Sequence, residues 1–176
     1  MSDIWFISDT HFNHTNILSF TDNDGNRFRG SVFKDVDDMN EIMIQNWNNH
    51  IKPNDKVYHL GDVYFGQENA ADKILSRLNG NKRLVLGNHD KITKQSVLLK
   101  HFQKIIMWWP FEGMIFSHVP LPIEQMKTRK GEAMNFHGHI HQNKSPTKRH
   151  FNLSVENINY TPMHLDEILK IRNNVS

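Results

Sequence analysis

Short apolar runs alternate with helix-like patterns along this chain. Seven runs are four or five residues long, which is the length of a strand; they are Ile4–Ser8, Lys56–Leu60, Arg83–Leu86, Ile105–Trp108, Gly113–Ser117, Ala133–Phe136 and Phe151–Val155. Between them apolar residues recur at helical spacing, in segments that begin at Asp35 and near Ala71 and that span Thr93–Phe102 and Met163–Arg172. Because strands alternate with helices, the pattern predicts an α/β fold.

The remaining segments predict surface loops rather than linkers. Residues 19–34 and 120–132 are rich in Asp, Asn, Gly, Lys and Pro, which favour turns. No internal repeat and no Pro/Gly-rich stretch divides the chain. A length of 176 residues suits one compact domain, so we predict a single domain over residues 1–176.

The composition narrows the possible chemistry. The chain has 12 histidines and no cysteine, which excludes disulfides, thiolate zinc sites and cysteine nucleophiles. No apolar stretch approaches the roughly 18 residues of a membrane helix, and no basic segment precedes an apolar one at the N-terminus. We therefore expect a cytoplasmic protein without a membrane segment.

Charge is distributed unevenly along the chain. Residues 1–72 carry 12 acidic and 5 basic side chains, whereas residues 73–176 carry 7 acidic and 16 basic ones. A basic half of this kind can attract an anionic substrate. A solvated surface explains the asymmetry equally well.

Asp, Asn or His directly follows five of the predicted strands. The segments concerned are Asp9-Thr10-His11, Gly61-Asp62, Gly87-Asn88-His89-Asp90, Ser117-His118 and His137-Gly138-His139-Ile140-His141. In an open α/β sheet the carboxyl ends of the strands form the ligand crevice. We therefore expect these five segments to converge in space, and their glycines to permit a close approach of the backbone.

These residue types are those of a metal site with nitrogen and oxygen ligands. Asp9 and His11 are two positions apart, as are His139 and His141, so on extended backbone each pair would point to one side. The candidate ligands are Asp9, His11, Asp62, Asn88, His118, His139 and His141. One ion takes about four to six ligands, so this set, with one bridging carboxylate, suits two ions.

In this order the five segments resemble the motifs of the calcineurin-like metallophosphoesterases. Each motif alone is weak, but together they span positions 9 to 141. The compact size and the segments Ser8-Asp9-Thr10-His11-Phe12 and Tyr58-His59-Leu60-Gly61-Asp62 resemble the small bacterial and phage members of that family. The resemblance implies a sandwich of two mixed β-sheets flanked by helices.

The resemblance also implies a role for each motif residue. One metal ion would be held by Asp9, His11, Asp62 and His141, and the other by Asp62, Asn88, His118 and His139. Asp62 would thus bridge the two ions. His89 would be the catalytic residue that protonates the leaving oxygen, a general-acid role that histidine often fills.

One position departs from the family pattern. Many members have a second acid three residues after the bridging aspartate, where it orients the catalytic histidine, but here that position is Phe65. Either Asp90 or Asp9 replaces the missing acid, or leaving-group protonation is weaker than in the phosphatases. The arginine that follows the second acid in protein phosphatases is also replaced, by Gly66, which disfavours phosphoprotein phosphatase activity.

The implied reaction is two-metal hydrolysis of a phosphate ester, in which a hydroxide shared by two cations attacks phosphorus. The ligand types fit Mn²⁺, Fe, Zn²⁺ or Ni²⁺, and the resemblance favours Mn²⁺. We favour a phosphodiesterase acting on a small phosphodiester or nucleotide, because a diester carries one charge less and Phe65 replaces the usual acid. Binding of longer nucleic acid is a weaker prediction, since the chain has no basic tail or recognised nucleic-acid module.

Two alternatives stay open at this point. One is a phosphomonoesterase acting on a small metabolite, and the other is a non-catalytic metal-binding scaffold of the same fold. The scaffold is disfavoured because all seven ligands and His89 are present. Trp108 and Trp109 are expected to pack in the core or at a strand edge, not to stack on bases. The sequence specifies neither the natural substrate nor the oligomeric state.

Overall fold

The fold is seen in a computed structural model that describes residues 2–21, 24–90 and 95–175. Eleven strands lie within these residues: β1 (Ile4–Ile7), β2 (Lys56–His59), β3 (Asn81–Val85), β4 (Lys104–Ile106), β5 (Trp108–Phe111), β6 (Met114–Ser117), β7 (Lys127–Thr128), β8 (Gly131–Glu132), β9 (Met134–His137), β10 (His150–Asn152) and β11 (Met163–His164).

Four α-helices lie in the same described residues: α1 (Val36–His50), α2 (Glu68–Leu75), α3 (Gln95–His101) and α4 (Leu165–Asn173). Short 3₁₀ turns cover Thr15–Ser19, Ile123–Gln125 and Val155–Asn157. None of the four helices is both long and apolar enough to cross a bilayer.

The strands form two mixed sheets. The first has the order β11-β1-β2-β3-β4, in which β1 to β4 are parallel and β11 is antiparallel to β1. The second has the order β10-β9-β6-β5, in which β5 is antiparallel to β6. Strands β7 and β8 form a separate hairpin. This architecture confirms the predicted α/β fold of two mixed sheets flanked by helices.

Aromatic rings join the two sheets across the core. Phe6 of β1 stacks on Phe116 of β6 with ring centroids 4.4 Å apart and an interplanar angle of 13°. Tyr58 of β2 stacks on Trp109 of β5 at 3.9 Å and 4°. Phe6 and Phe116 are fully buried. Large aromatic rings contribute much of the apolar area that a core of this size can bury.

Helix α1 shows how local sequence places an element against this core. Asp35 caps its first turn, where the Asp38 backbone N–H donates to Asp35 Oδ1 at 2.9 Å. Met39, Met43 and Trp47 are buried at helical spacing. The Trp47 indole Nε1–H donates to the Asn79 carbonyl at 3.0 Å. The buried ring therefore has a hydrogen-bond partner for its polar group as well as apolar contacts.

Two of the predicted element boundaries were wrong. The single strand expected over Ile105–Trp108 is two strands in different sheets, because β4 ends at Ile106 and β5 begins at Trp108. The helix expected from Met163 begins at Leu165, because Met163 and His164 pair with β1 as β11. In both places tertiary pairing with another strand overrides the local pattern.

The expected loop over residues 120–132 is also more ordered than predicted. It contains the hairpin of β7 and β8 and the 3₁₀ turn Ile123–Gln125. Thr93, the expected start of the third helix, lies outside the described residues, and α3 is described from Gln95.

The carboxyl ends of five strands carry the candidate motifs. Three of these strands, β1, β2 and β3, are parallel neighbours in the first sheet, and β6 and β9 are parallel neighbours in the second. An isolated bridge between Ser8 and Ser154 links the end of β1 to the segment after β10. Both sheets therefore deliver their motifs to one edge of the sandwich.

We expect Asp35→Ala to lower the free energy of unfolding by about 1 kcal/mol, because the first turn of α1 loses its cap. Urea denaturation at neutral pH measures the change. Asp35→Asn keeps a side-chain acceptor and should recover most of the loss. Equal destabilisation by the two variants would show that the cap is not the reason.

Candidate metal centre

Backbone hydrogen bonds tie the motif loops together. The Asp9 N–H donates to the Gly61 carbonyl at 3.0 Å, and the His11 N–H donates to the Asp62 carbonyl at 3.1 Å. The loop after β1 therefore runs alongside the loop after β2. The His139 N–H donates to Asp9 Oδ2 at 2.9 Å, which adds the loop after β9 to the same cluster.

Five candidate ligands have left-handed backbone. Their φ angles lie between 49° and 72°, and they are Asp9, His11, Asp62, His139 and His141. Our expectation that the Asp9/His11 and His139/His141 pairs share a side because their backbone is extended was therefore wrong. Asp and His tolerate this region better than most residues, but each such residue costs on the order of 1 kcal/mol. Strain of this kind concentrates at functional sites.

Glycines allow these loops to approach one another. A Cβ added to Gly87 would collide with the side chain of Asp62, and one added to Gly138 would collide with Ser8 and Asp9. The backbone at these two glycines therefore approaches candidate ligands closely, as the sequence predicted. Any larger residue at either position would displace an aspartate.

The first cluster contains Asp9, His11 and His141. One ligand atom from each lies within 4.8 Å of the other two. His11 Nε2 is 3.9 Å from Asp9 Oδ1, and Asp9 and His11 are almost completely buried, whereas His141 is half-buried. Two donors that each lie about 2.1 Å from one ion are roughly 3–3.5 Å apart, so the spacing is close to that of a ligand shell.

The second cluster contains Asp62, His118 and His139, whose ligand atoms also lie within 4.8 Å of one another. Asn88 belongs with them, because its Oδ1 is 2.7 Å from His118 Nε2 and 2.9 Å from His139 Nδ1. Asn88 and His139 are exposed, whereas Asp62 and His118 are buried. This cluster therefore opens to solvent on one side.

A single oxygen of Asp62 lies between the two clusters. Asp62 Oδ2 is 3.6 Å from His11 Nε2 and 3.4 Å from His118 Nε2. The other oxygen, Oδ1, accepts the His89 backbone N–H at 2.8 Å. One carboxylate oxygen is thus fixed by the backbone, and the other faces a histidine from each cluster.

Several buried ligand atoms have no hydrogen-bond partner in the part of the chain that the structure describes. They include Asp9 Oδ1 and both ring nitrogens of His11. An unpaired buried polar atom costs free energy unless something else satisfies it. A divalent cation accepts electron pairs from a carboxylate oxygen and from the unprotonated nitrogen of a neutral imidazole, so Asp9 Oδ1 and one His11 nitrogen fit a metal ion.

The surroundings of His118 and His11 shift the pKa values of these two histidines in opposite directions. Burial by itself would lower the pKa of His118, but its hydrogen bond with Asp62 and the charges of Asp9 and Asp62 raise the pKa to about 9. In contrast, burial and then the charge of Arg29 hold the pKa of His11 well below its usual value. The surroundings favour positive charge at His118 and keep His11 neutral, so that one His11 ring nitrogen has a free electron pair.

Hydrogen bonds behind the histidines fix which ring nitrogen faces the centre. His118 Nδ1–H donates to the Leu60 carbonyl at 2.8 Å, so its Nε2 is directed at Asp62 and Asn88. His141 Nδ1 is 3.0 Å from Glu156 Oε1, which leaves its Nε2 for the first cluster. Support of this kind is characteristic of metal-binding histidines.

The family model described as calcineurin-like phosphoesterase matches residues 2–173. The chain belongs to the calcineurin-like phosphoesterase family. The resemblance found in the sequence is therefore confirmed, and it makes the protein a phosphoric ester hydrolase by family and its two clusters candidate metal-ligand sets.

Proteins similar to this chain occur in archaea, bacteria and phages. The uncharacterized protein MJ1445 of Methanocaldococcus jannaschii is 34% identical over 180 residues, which cover 97% of this chain and 92% of that protein. The gene 66 protein of Mycobacterium phage L5 is 29% identical over 93 residues, which cover 51% of this chain and 41% of that protein. The crystal structure of AQ665 from Aquifex aeolicus, a protein of unknown function, aligns with a TM-score of 0.72 and 28% identity, covering 97% of this chain and all of that one.

In this calcineurin-like phosphoesterase an aromatic ring replaces the missing second acid. The Phe65 ring lies 5.0 Å from the ring of His89 and 5.2 Å from that of His11, and it stacks on His14 at 3.8 Å. Among the described residues no carboxylate bonds to the exposed His89 ring. His89 is therefore positioned by packing against Phe65 and not by an ion pair with a second acid.

Neither suggested substitute for that acid serves His89. Asp90 uses both oxygens on backbone N–H groups, accepting from Asp62, Gly87 and Val63 at 2.8–3.0 Å. Asp9 Oδ2 accepts from His139 N–H and from the Ser154 hydroxyl. Of the two alternatives that the sequence left open, the one in which Asp90 or Asp9 orients His89 was wrong, because these carboxylates bind the ligand loops instead.

A buried ion pair that the sequence analysis missed supports the first cluster. Arg29 is completely buried, and its guanidinium donates to the carbonyls of Asp9 at 2.6 Å and Thr10 at 2.9 Å. It also donates to Glu156 Oε1 at 2.8 Å, the same oxygen that contacts His141. The pair thus connects the left-handed backbone at Asp9 to the ring of His141.

One of these two residues had a signal in the sequence. Glu156 directly follows the predicted strand Phe151–Val155, so the rule that placed the other motifs at strand ends also applies to it. Arg29 had none, because it lies in a polar segment that predicts a solvated loop. Burial and the charge of Arg29 act in opposite directions on Glu156, and the net effect lowers its pKa to about 2, so Glu156 is ionised.

We expect Glu156→Ala to lower the free energy of unfolding by about 3–5 kcal/mol, because Arg29 is left buried without a counter-charge. Chemical denaturation of the metal-stripped protein measures this without a contribution from bound ions. Glu132→Ala is the matched control: Glu132 pairs with Arg149 at 2.8 Å but is 77% exposed, so its loss should cost less than about 1 kcal/mol. Similar values for the two variants would contradict a structural role for the buried pair.

Proposed function

We propose that this protein hydrolyses phosphodiesters at a centre of two divalent metal ions. The observation that carries the proposal is the position of Asp62 Oδ2, 3.6 Å from His11 Nε2 and 3.4 Å from His118 Nε2. An oxygen that faces a histidine from each cluster is placed to be shared by two ions. Family membership supports the hydrolysis of a phosphoric ester.

In this proposal the two clusters are the two ligand sets. Asp9, His11, Asp62 and His141 hold one ion, and Asp62, Asn88, His118 and His139 hold the other. When bound, the ions supply an activated water for attack on phosphorus and neutralise the charge on the phosphoryl oxygens. Histidine, carboxylate and amide ligands suit Mn²⁺, which we favour, and also Fe, Zn²⁺ and Ni²⁺.

His89 is the proton donor in the proposed reaction. Its backbone N–H is fixed on Asp62 Oδ1 at 2.8 Å, and its exposed ring lies 5.8 Å from the ring of His11. An imidazole N–H at the open face of the centre can give its proton to the departing oxygen. The Phe65 ring packs against the His89 ring and restrains its position.

The preference for diesters rests on the surroundings of His89. Phe65 stands where many family members have an acid, and the His89 ring has no carboxylate partner among the described residues. A diester also brings one negative charge less than a monoester to a site with a single proton donor. We therefore propose a small phosphodiester or a nucleotide as the substrate, with the excess of basic residues after residue 72 as an attraction for anions.

We expect the metal-stripped wild-type protein to bind two Mn²⁺ per chain, and Asp62→Ala to bind at most one, because both ligand sets lose their shared oxygen. Metal content after equilibrium dialysis measures the stoichiometry. Asp72→Ala removes a more exposed aspartate that pairs with Lys100 on the surface and should leave the value at two. Retention of two ions by a folded Asp62→Ala variant would argue against a bridging role.

We expect Mn²⁺-dependent hydrolysis of bis-p-nitrophenyl phosphate to exceed that of the monoester p-nitrophenyl phosphate. His89→Ala should reduce kcat by about 10²–10⁴-fold on diphenyl phosphate, whose leaving group needs a proton, and by much less on the p-nitrophenyl diester. His50→Ala, at an exposed histidine that ends α1, is the control.

Three outcomes would change the proposal. Equal losses on the two diesters would assign His89 to phosphate binding rather than to proton donation. Faster hydrolysis of the monoester would favour a phosphomonoesterase. Metal binding without hydrolysis of any ester would favour a non-catalytic scaffold.

A further inference from the structure

A large cavity opens beside the second ligand cluster. Its volume is about 700 Å³, within the usual range of small-molecule sites. Gly87, Asn88 and His118 form the wall that it shares with the candidate metal centre. The cavity is therefore continuous with the place where a phosphoryl group would bind.

The rest of the described cavity wall is mostly apolar, and Ser117 and Gln125 are its polar residues. Leu86, Met107, Trp108, Val119 and Leu121 line it, and none of its described lining residues is an acid, a lysine or an arginine. Three of these side chains are unusually exposed for apolar residues: Met107 is 70% exposed, Trp108 53% and Val119 42%. Contiguous exposed apolar surface of this kind marks a binding site more often than a free surface.

Strand pairing fixes the position of Trp108 relative to the metal centre. Trp108 of β5 is paired with Ser117 of β6, the residue that immediately precedes His118. Side chains alternate along β5, so Trp109 packs against Tyr58 in the core whereas Trp108 faces outward. Trp109 thus packs in the core and Trp108 lies on the edge strand β5, as the sequence predicted, but the Trp108 ring is exposed.

The geometry points to this cavity as a subsite for an uncharged ring on the retained ester arm of the substrate. The inference rests on the proposed phosphodiesterase function and extends it to the substrate class: a diester with an aryl group or a nucleoside base on the arm that is not released.

The position of His89 assigns the retained arm to the cavity. The His89 ring packs towards Phe65 and His11, and His89 is not among the described lining residues of the cavity. A leaving group must lie within reach of its proton donor. The cavity, which starts at Asn88 and His118, is then open to the other arm.

The chemistry of the wall selects a ring over a charged or short alkyl group. Trp108 offers an aromatic face and Met107 a polarisable thioether, both of which contact rings favourably. Away from the wall shared with the metal centre, none of the described lining residues carries a charge that would compensate a buried one. A methyl group would leave most of the cavity filled with water.

The test varies the retained arm while the leaving group stays the same. Phenyl p-nitrophenyl phosphate and methyl p-nitrophenyl phosphate both release p-nitrophenol, and their ratio of kcat/KM is measured with the Mn²⁺-loaded protein. We expect Trp108→Ala to lower this ratio about tenfold. Because intrinsic reactivity is the same for every variant, it cancels when the ratios are compared.

A second variant and a control complete the design. Val119→Trp fills the cavity and should lower the ratio in the same direction, so the test does not depend on Trp108→Ala alone. Leu99→Ala truncates an apolar residue of α3 that is 63% exposed and does not line the cavity; it should leave the ratio unchanged within about twofold, as expected of a surface substitution.

Different results would overturn the subsite and the phosphodiesterase function. Turnover of both esters with the same ratio in wild type, Trp108→Ala and Val119→Trp would overturn the subsite and leave the phosphodiesterase intact. Turnover of neither ester would overturn the phosphodiesterase. In that case calorimetric binding of diphenyl and dimethyl phosphate decides the subsite: a roughly tenfold preference for the diphenyl ester that Trp108→Ala removes would support it, and equal affinities would overturn it.

Discussion

The arrangement of the centre depends on backbone that is held in an unfavourable conformation. Asp9, His11, Asp62, His139 and His141 are all left-handed, and no local hydrogen bond of a regular helix or strand stabilises them there. Long-range contacts do so instead. Loops from both sheets bond to one another, and Gly87 and Gly138 leave the space that this requires. The ligand geometry is thus a property of the whole sandwich and not of any one motif.

Buried charge holds this arrangement in place and sets its potential. Arg29 neutralises Glu156 and binds the carbonyls of Asp9 and Thr10, so it fixes the loop after β1. At His118 the hydrogen bond with Asp62 and the charges of Asp9 and Asp62 outweigh the effect of burial and raise the pKa. At His11 burial and the charge of Arg29 lower the pKa instead, so the electrostatic potential favours positive charge more at His118 than at His11.

The open face of the centre is asymmetric. One side carries the aromatic group of His14, Phe65 and His89, and the other leads from Asn88 into the apolar cavity beside Trp108. In the proposed reaction these sides receive different arms of one phosphodiester. Phe65 and the cavity would then favour the same class of substrate in the proposed reaction. Both place apolar groups next to the phosphoryl group, and such groups favour uncharged ester arms.

The sequence by itself determined the family, the alternation of strands and helices, and the candidate ligands, because each motif comes at the end of a short apolar run of strand length. It did not determine why Asp9 and His11 lie in one candidate cluster, since the spacing of two residues does not reveal their left-handed backbone. Arg29 and Glu156 are 127 residues apart, and Trp108 and Trp109 look alike in the sequence. Only the tertiary structure decided those roles, because burial, pairing across sheets and the sign of the local field arise when distant segments pack together.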